Sequence, residues 1–202
     1  KDSQINMESG IGSYNTMRNS LGFSSGLVKN HWMMEGRWSQ IKSDGFRDGT
    51  NVDMWGYYIS AQRIIENGNI RFNHYNGREL THVAWNGIDE TMLYGLNGRP
   101  QNRTFNDYTN YANSVDDYYQ PHFELISNWA LTDETTLDVT LYHVQGNGFY
   151  ETYKQDKDPY DYALDAFTDA EEIDLVNRRW IDKIQNGLSA RISQRLSYMD
   201  IT

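Results

Sequence analysis

The sequence has no cysteine, only three prolines and no run of more than three consecutive apolar residues. The absence of cysteine excludes disulfide scaffolds, thiolate zinc sites and cysteine nucleophiles. The short apolar runs exclude a transmembrane helix, which needs ~20 apolar residues. Basic residues are also few, 18 against 28 acidic ones, and no stretch clusters them with aromatics. Because a net charge of −10 opposes binding to phosphate backbones, nucleic acid is not an expected partner.

Aromatic residues are abundant instead, with 15 Tyr, 7 Phe and 6 Trp. They offer more buriable area than disordered chains carry, so we expect the chain to fold despite a mean hydropathy of −0.78. A length of 202 residues suits one domain or part of a larger one.

Polar and apolar residues alternate in seven stretches, as they do in half-buried strands, and no stretch fits a helix better. In 136–148, for example, Leu137 and Val139 alternate with Asp138 and Thr140. The predicted strands cover 14–28, 31–43, 52–65, 69–82, 119–131, 136–148 and 185–198. Each is long for a soluble strand, whose usual length is ~5–6 residues.

Short and long connections alternate strictly between these strands. The short ones are turns at Lys29-Asn30, Glu66-Asn67-Gly68 and Thr132-Asp133-Glu134-Thr135, and the long ones cover 44–51, 83–118 and 149–184. A sheet with short turns at one edge and longer loops at the other is typical of outer-membrane barrels.

The net charge is concentrated in the long connections. Segment 149–176 has nine acidic and two basic residues, segment 83–118 has five and two, and the rest of the chain has 14 of each. Solvation of the loops explains this as well as a ligand role does. An EF-hand is excluded in 149–176, because the loop that would begin at Asp156 lacks the required glycine and final glutamate, but looser divalent binding stays open.

The direction of the apolar face separates two architectures. A soluble sandwich packs that face on a second sheet, whereas a membrane barrel turns it to lipid and its polar face to the lumen. Strand length, mid-strand charges and aromatic residues near strand ends favour the barrel; these aromatic residues are Trp32, Trp55, Trp129, Tyr14 and Tyr198. Its lumen-facing residues would be Arg18, Arg37, Gln62, Glu124 and Arg191, opposite Leu21, Trp55, Phe123, Val139 and Ile192.

Five motifs, spread over residues 12–190, resemble the barrel of TonB-dependent outer-membrane receptors, especially those of Bacteroidetes-type bacteria. They are Gly12-Ser13-Tyr14-Asn15-Thr16, Ser43-Asp44-Gly45-Phe46, Ala84-Trp85-Asn86-Gly87, Gly146-Asn147-Gly148-Phe149-Tyr150-Glu151-x-Tyr153-Lys154 and Asp174-Leu175-Val176-Asn177-Arg178-Arg179-Trp180. The resemblance implies an all-β fold in which these seven strands form about a third of a 22-stranded transmembrane barrel. We expect the signal peptide, the TonB box and the plug domain of such receptors to lie outside residues 1–202.

The resemblance also implies a function, namely import of a scarce nutrient such as a ferric siderophore across the bacterial outer membrane. The expected partners are an iron chelate, lipid and lipopolysaccharide, and the TonB–ExbB–ExbD complex acting through the plug. Capture of the ligand would fall to loop 83–118, where aromatic faces accompany guanidinium donors. The candidate residues are Trp85, Asn86, Tyr94, Arg99 and Arg103.

No catalytic constellation, cofactor motif or metal site is predicted. The five histidines lie on separate strands without the spacing of a zinc site. We therefore expect a protein that is not an enzyme. Two alternatives stay open: a secreted carbohydrate-binding β-sandwich and a passive porin.

Overall fold

The computed structural model describes residues 2–46, 49–82, 111 and 113–196. These residues form one antiparallel sheet. The nine strands are β1 (Gln4–Gly12), β2 (Thr16–Ser24), β3 (Trp32–Ser43), β4 (Val52–Ile65), β5 (Gly68–His82), β6 (Val115–Tyr119), β7 (His122–Ala130), β8 (Thr135–Lys157) and β9 (Ile173–Gln194). Strands that follow each other in the chain pair side by side except for β6 and β7. One 3₁₀ turn, Pro159–Tyr162, is the only helical element in these ranges. The prediction of an all-β antiparallel fold is confirmed.

The expected number of seven strands is wrong. β1 was not predicted, although it pairs with β2 along its whole length. β6 and β7 occupy one position in the sheet, because both pair with β5 and β8 in a single continuous register. Pro121 lies at the break between them and has no N–H to donate to the ladder. The described sheet thus has eight strand positions.

The predicted loop over 149–184 is also wrong. β8 continues to Lys157 and β9 begins at Ile173, which leaves 158–172 as the connection. The paired stretch runs unbroken from Thr135–Gln194 to Lys154–Leu175, and a bulge follows between Lys154 and Lys157. β8 has 23 residues and β9 has 22, and the two stay paired well past Val144, where the pairing of β8 with β7 ends.

The turns fall where the sequence predicts them. Lys29 and Asn30 both have positive φ, and His31 N–H donates to the carbonyl of Val28 at 3.1 Å. These features define a tight hairpin turn that favours residues such as Asn. The turns at 66–67 and 131–134 lie on the same edge. The opposite edge carries the connections 13–15, 44–51 and 158–172, so it is not made of long links alone.

No second layer covers either face of the described sheet. Every pair of elements in close contact is a pair of hydrogen-bonded neighbouring strands. Val115 and Val144 are the only hydrophobic residues in the described ranges that are buried. The stability of this part of the chain therefore comes from strand pairing and contacts within each face, not from an enclosed core.

Candidate functional site

The register divides the side chains between two faces. Residues paired across an antiparallel sheet point to the same face, and successive residues alternate. Following the pairs from β1 to β9 places all five residues expected to face a lumen on one face, which we call the polar face. The five residues expected opposite to them lie on the other, the apolar face. Whether the polar face borders a lumen stays a prediction.

An exposed belt of apolar side chains crosses the apolar face from β1 to β9. In the first hairpin it runs from the pair Ile11–Met17 to the pair Ile5–Phe23. In the last hairpin it runs from Leu141–Leu188 to Leu137–Ile192. Leu137 is half-buried, and the other seven side chains are 45–88% exposed, far more than residues of a packed core.

The belt is oblique to the strands. A straight row of paired residues starts at Ile5–Phe23, the end of the belt nearest the short turns, and finishes at His143–Asn186. In the last hairpin, this row has therefore passed the end of the belt that faces the longer connections. The pair at the end of the row is polar, with His143 Nδ1 hydrogen-bonded to Asn186 Oδ1 at 2.6 Å. The centre of the belt thus shifts by about seven residues over seven steps between strands, or about one residue per strand.

Aromatic side chains border the belt on both sides. Trp32 and Trp129 lie near the short-turn edge, where the Arg63 guanidinium stands 5.4 Å from the Trp32 ring centre. Towards the other edge, Trp55 stacks on Tyr57 with ring centres 6.2 Å apart. Trp and Tyr are the residues enriched where apolar surface meets water at a membrane. Tyr198, also expected near a strand end, lies outside the described residues.

Three ion pairs lie on the apolar face, all beyond the belt on the side of the longer connections. Lys42 Nζ is 2.6 Å from Asp53 Oδ2, and Arg78 Nη2 is 2.6 Å from Asp117 Oδ2. The third joins Arg178 to Glu151. Among the described residues, the Lys, Arg, Asp and Glu side chains of this face thus lie at or beyond the borders of the belt, with Arg63 on the side of the short turns.

Glu151 is the centre of the most densely bonded cluster. Its side chain is 2% exposed and accepts hydrogen bonds from Tyr111 Oη, Asn113 Nδ2 and Arg178 Nε, the last two at 2.6 Å. Burial by itself would raise the pKa of Glu151, but these donors and the Arg178 charge outweigh it and lower the pKa. Burial raises the pKa of Tyr111, and the hydrogen bond to the Glu151 carboxylate raises it further. This cluster joins the end of the 83–114 connection to β8 and β9.

Two aromatic rings also lie close to Arg178 in this cluster. Its guanidinium stands 4.2 Å from the centre of the Phe149 ring and 5.6 Å from the centre of the Trp180 ring. Sequence reasoning missed the Glu151 cluster because it placed these residues in a loop. The available signal was a pair of opposite charges at positions where the alternation calls for apolar residues.

The polar face carries a hydrogen-bonded network in its centre. Tyr58 Oη donates to Asn73 Oδ1 at 3.2 Å, Asn73 Nδ2 donates to Glu124 Oε2 at 3.1 Å, and Tyr75 Oη donates to Glu124 Oε1 at 2.9 Å. Of its four members, Glu124 alone was predicted as a site residue. Tyrosines and amides at alternate positions of neighbouring strands carry no sequence signal of a site by themselves.

The predicted ligand-capture residues cannot be placed. Trp85, Asn86, Tyr94, Arg99 and Arg103 all lie outside the described residues, so their role stays a prediction. Within the described ranges, no three His, Asp or Glu side chains come together as a metal site would require. Both ring nitrogens of His74 are already hydrogen-bonded, Nε2 to the Tyr57 hydroxyl at 2.7 Å and Nδ1 to the His122 carbonyl oxygen at 2.9 Å.

In the parts of the chain that the structure describes, no helix has the length and apolarity needed to cross a membrane. Comparison of the chain with protein-family models, with curated proteins and with solved structures gave no match.

Proposed function

We propose that the chain forms part of the wall of a transmembrane β-barrel in the bacterial outer membrane, and that this barrel is a TonB-dependent receptor. The observation that supports the barrel best is the exposed, oblique apolar belt. A shift of about one residue per strand, with ~3.4 Å per residue and ~4.8 Å between strands, corresponds to a belt inclined by about 35° to the perpendicular of the strands. Strands of membrane barrels tilt by ~35–45°, so a belt parallel to the membrane would be inclined by this much.

The distribution of charge supports the same proposal. An Arg or Lys facing lipid at mid-bilayer costs ~2–4 kcal/mol, and the cost falls towards the interfaces. The three ion pairs and Arg63 lie at or beyond the borders of the belt, whereas Arg18, Arg37 and Arg191 are on the polar face. A lipid-facing surface requires this arrangement.

Nothing in the described sheet favours the sandwich alternative. A sandwich would pack the apolar residues of the belt into one internal core. The six that would form this core are 41–53% exposed; they are Met17, Phe23, Trp38, Ile59, Leu125 and Leu141. We therefore retain the barrel.

The receptor function rests on the resemblance described above. It implies active uptake of a scarce nutrient, an iron chelate first of all, with energy from the TonB–ExbB–ExbD complex. In this proposal the chain supplies wall and loops, and it catalyses no reaction. A passive porin would have the same wall but no need for energy from TonB.

Growth under iron limitation tests this function. In a strain that depends on the receptor for iron, we expect deletion of the gene or dissipation of the proton gradient to abolish chelate uptake. The Trp85→Ala, Arg99→Ala, Arg103→Ala triple variant should lower chelate affinity, while Lys29→Ala in a short turn should not. Uptake that continues without the proton gradient would identify a passive porin. A triple variant with normal surface expression and unchanged affinity would remove 83–118 from the capture site.

A further inference from the structure

A continuous groove runs over the polar face from β2 to β7. It consists of two hollows of about 560 and 220 Å³ whose linings share Arg37, Ser39 and Gly56. Ser39 pairs with Gly56 across the strands, so small residues form the floor where the hollows meet. Larger side chains stand around this floor, which makes the groove a recess in an otherwise open sheet.

One end of the groove carries two guanidinium groups. Arg18 lines the smaller hollow and Arg37 lines both. Among the described residues neither guanidinium has a carboxylate or other hydrogen-bond partner, in contrast to Arg78 and Arg178 on the apolar face. Each guanidinium carries five N–H donors and no acceptor, in a planar fork that matches a carboxylate. This end therefore fits an anionic oxygen group.

The other end of the groove offers mainly acceptors. The hydroxyl protons of Tyr58 and Tyr75 and one amide proton of Asn73 are already donated within the network that ends on Glu124. What remains is the lone pairs of the two phenolic oxygens and of the Glu124 carboxylate. A neighbouring ligand group must donate to them, as an alcohol does.

We infer that this groove binds a hydroxycarboxylate, a small anion that carries carboxylate groups for Arg18 and Arg37 and a hydroxyl group for the Tyr58, Tyr75 and Glu124 oxygens. Arg37 and Tyr75 stand two strands apart, about 10 Å at the usual strand spacing. Arg37 pairs directly with Tyr58 across the strands and both line the larger hollow, so a guanidinium and a phenolic oxygen lie within reach of one small acid. The binding site depends only on the polar face of the sheet; that its occupant is transported rests on the proposed function.

The acidic segment 149–176 does not prevent an anion from binding in the groove. Of the acidic residues in 149–176, Glu151 is paired with Arg178, and Asp174 accepts a hydrogen bond from Tyr153 at 2.6 Å. Arg37, which would hold the anion, lies on β3, five steps from β9 in the sheet and about 24 Å from it along the sheet. At physiological salt, charges are screened within ~8 Å. The field of the acidic segment is therefore weak at the guanidinium end of the groove.

Calorimetric titration of the full-length protein in detergent tests the inference with three probes. Citrate carries both groups, tricarballylate has the same three carboxylates without the hydroxyl, and sorbitol has hydroxyls without charge. We expect citrate to bind, tricarballylate to bind at least fivefold more weakly and sorbitol not to bind. Equal affinity for citrate and tricarballylate, or no binding of citrate, would overturn the inference.

Variants locate the site. Arg18→Gln and Arg37→Gln should each weaken citrate binding at least tenfold, and Arg37→Lys should lose less because it keeps the charge. Tyr75→Phe should weaken citrate but not tricarballylate. Arg191→Gln, on the same face at the far edge of the sheet, is the matched control and should bind citrate normally. Normal binding in Arg37→Gln, or an equal loss in Arg191→Gln, would place the anion elsewhere.

Different results would contradict the hydroxycarboxylate site and the membrane receptor. A protein that inserts in the outer membrane and imports another chelate but does not bind citrate would overturn only the inference. A protein that is monomeric in water without detergent, yet binds citrate with the dependence on Arg37 described above, would overturn only the membrane receptor.

Discussion

At the scale of single residues, Glu151 is the side chain whose loss should be felt most. Replacing it by Gln leaves Arg178 without its carboxylate, and breaking one side of a buried ion pair is strongly destabilising. Because Arg178 is 42% exposed, we expect a moderate cost of about 2–3 kcal/mol. Urea-induced unfolding in detergent micelles, followed by tryptophan fluorescence, measures it. Asp117→Asn, which breaks the more exposed pair with Arg78, should cost less than about 1 kcal/mol.

The same carboxylate predicts a dependence on pH. The pKa of Glu151 is lower in the folded chain than its usual value. Its contribution is therefore complete above the unfolded pKa, about 4.3, and is lost as the pH falls through the lower folded pKa. We expect the difference in unfolding free energy between wild type and Glu151→Gln to shrink from pH 7 to pH 3. A difference that stays constant over this range would show that Glu151 acts by packing and not by charge.

At the scale of elements, the pairing of β6 with β8 depends on a glycine. Gly148 pairs with Tyr118, and a methyl group at position 148 would stand 2.8 Å from the Tyr118 Cα, with the Asp117 carbonyl oxygen closer still. Since these are backbone atoms, the strands themselves would have to move. We expect Gly148→Ala to destabilise the chain by about 1–3 kcal/mol.

A second glycine provides the control for this prediction. Gly10 lies in edge strand β1, and a Cβ there would meet nothing within 4 Å. Gly10→Ala should change stability by less than about 0.5 kcal/mol. Thermal unfolding of both variants in one detergent compares them directly. If both variants had the same melting temperature, the close approach of β6 and β8 would not limit stability.

At the scale of the whole molecule, the oblique belt predicts the depth of individual residues in a membrane. Following the paired residues straight across the sheet leads from Leu21 to Gln145. The centre of the belt, however, passes from Leu21 on β2 to Val139 on β8. With strands tilted as in a membrane barrel, positions 21 and 139 should have equal depth and position 145 should lie nearer the interface.

Spin labels test these depths without background, because the chain has no native cysteine. We expect labels at 21 and 139 to show equal, high accessibility to oxygen and low accessibility to a water-soluble nickel complex. A label at 145 should show the reverse, and a label at 140 on the polar face serves as the control. Equal depths for 21 and 145 would mean upright strands and would contradict the barrel.

Several local features of this protein can be predicted from short stretches of its sequence. Alternation is a property of neighbouring residues, so it located most strands and assigned residues such as Arg37 and Leu21 to opposite faces. The turns at Lys29-Asn30 and Glu66-Asn67 were equally readable, because their conformation depends on the turn residues themselves.

The extent and register of the strands depend on pairing between distant segments and are seen only in the folded sheet. β1 was missed because Ser9, Gly10 and Gly12 dilute its pattern, and only its register with β2 makes it a strand. The ends of β8 and β9 were missed because Glu151 and Arg178 break the alternation, and only facing each other across the strands satisfies these charges. The oblique belt and the groove at Arg37 depend on the register of several strands at once. Local sequence cannot set such a register, because each pairing is fixed by contacts with another part of the chain.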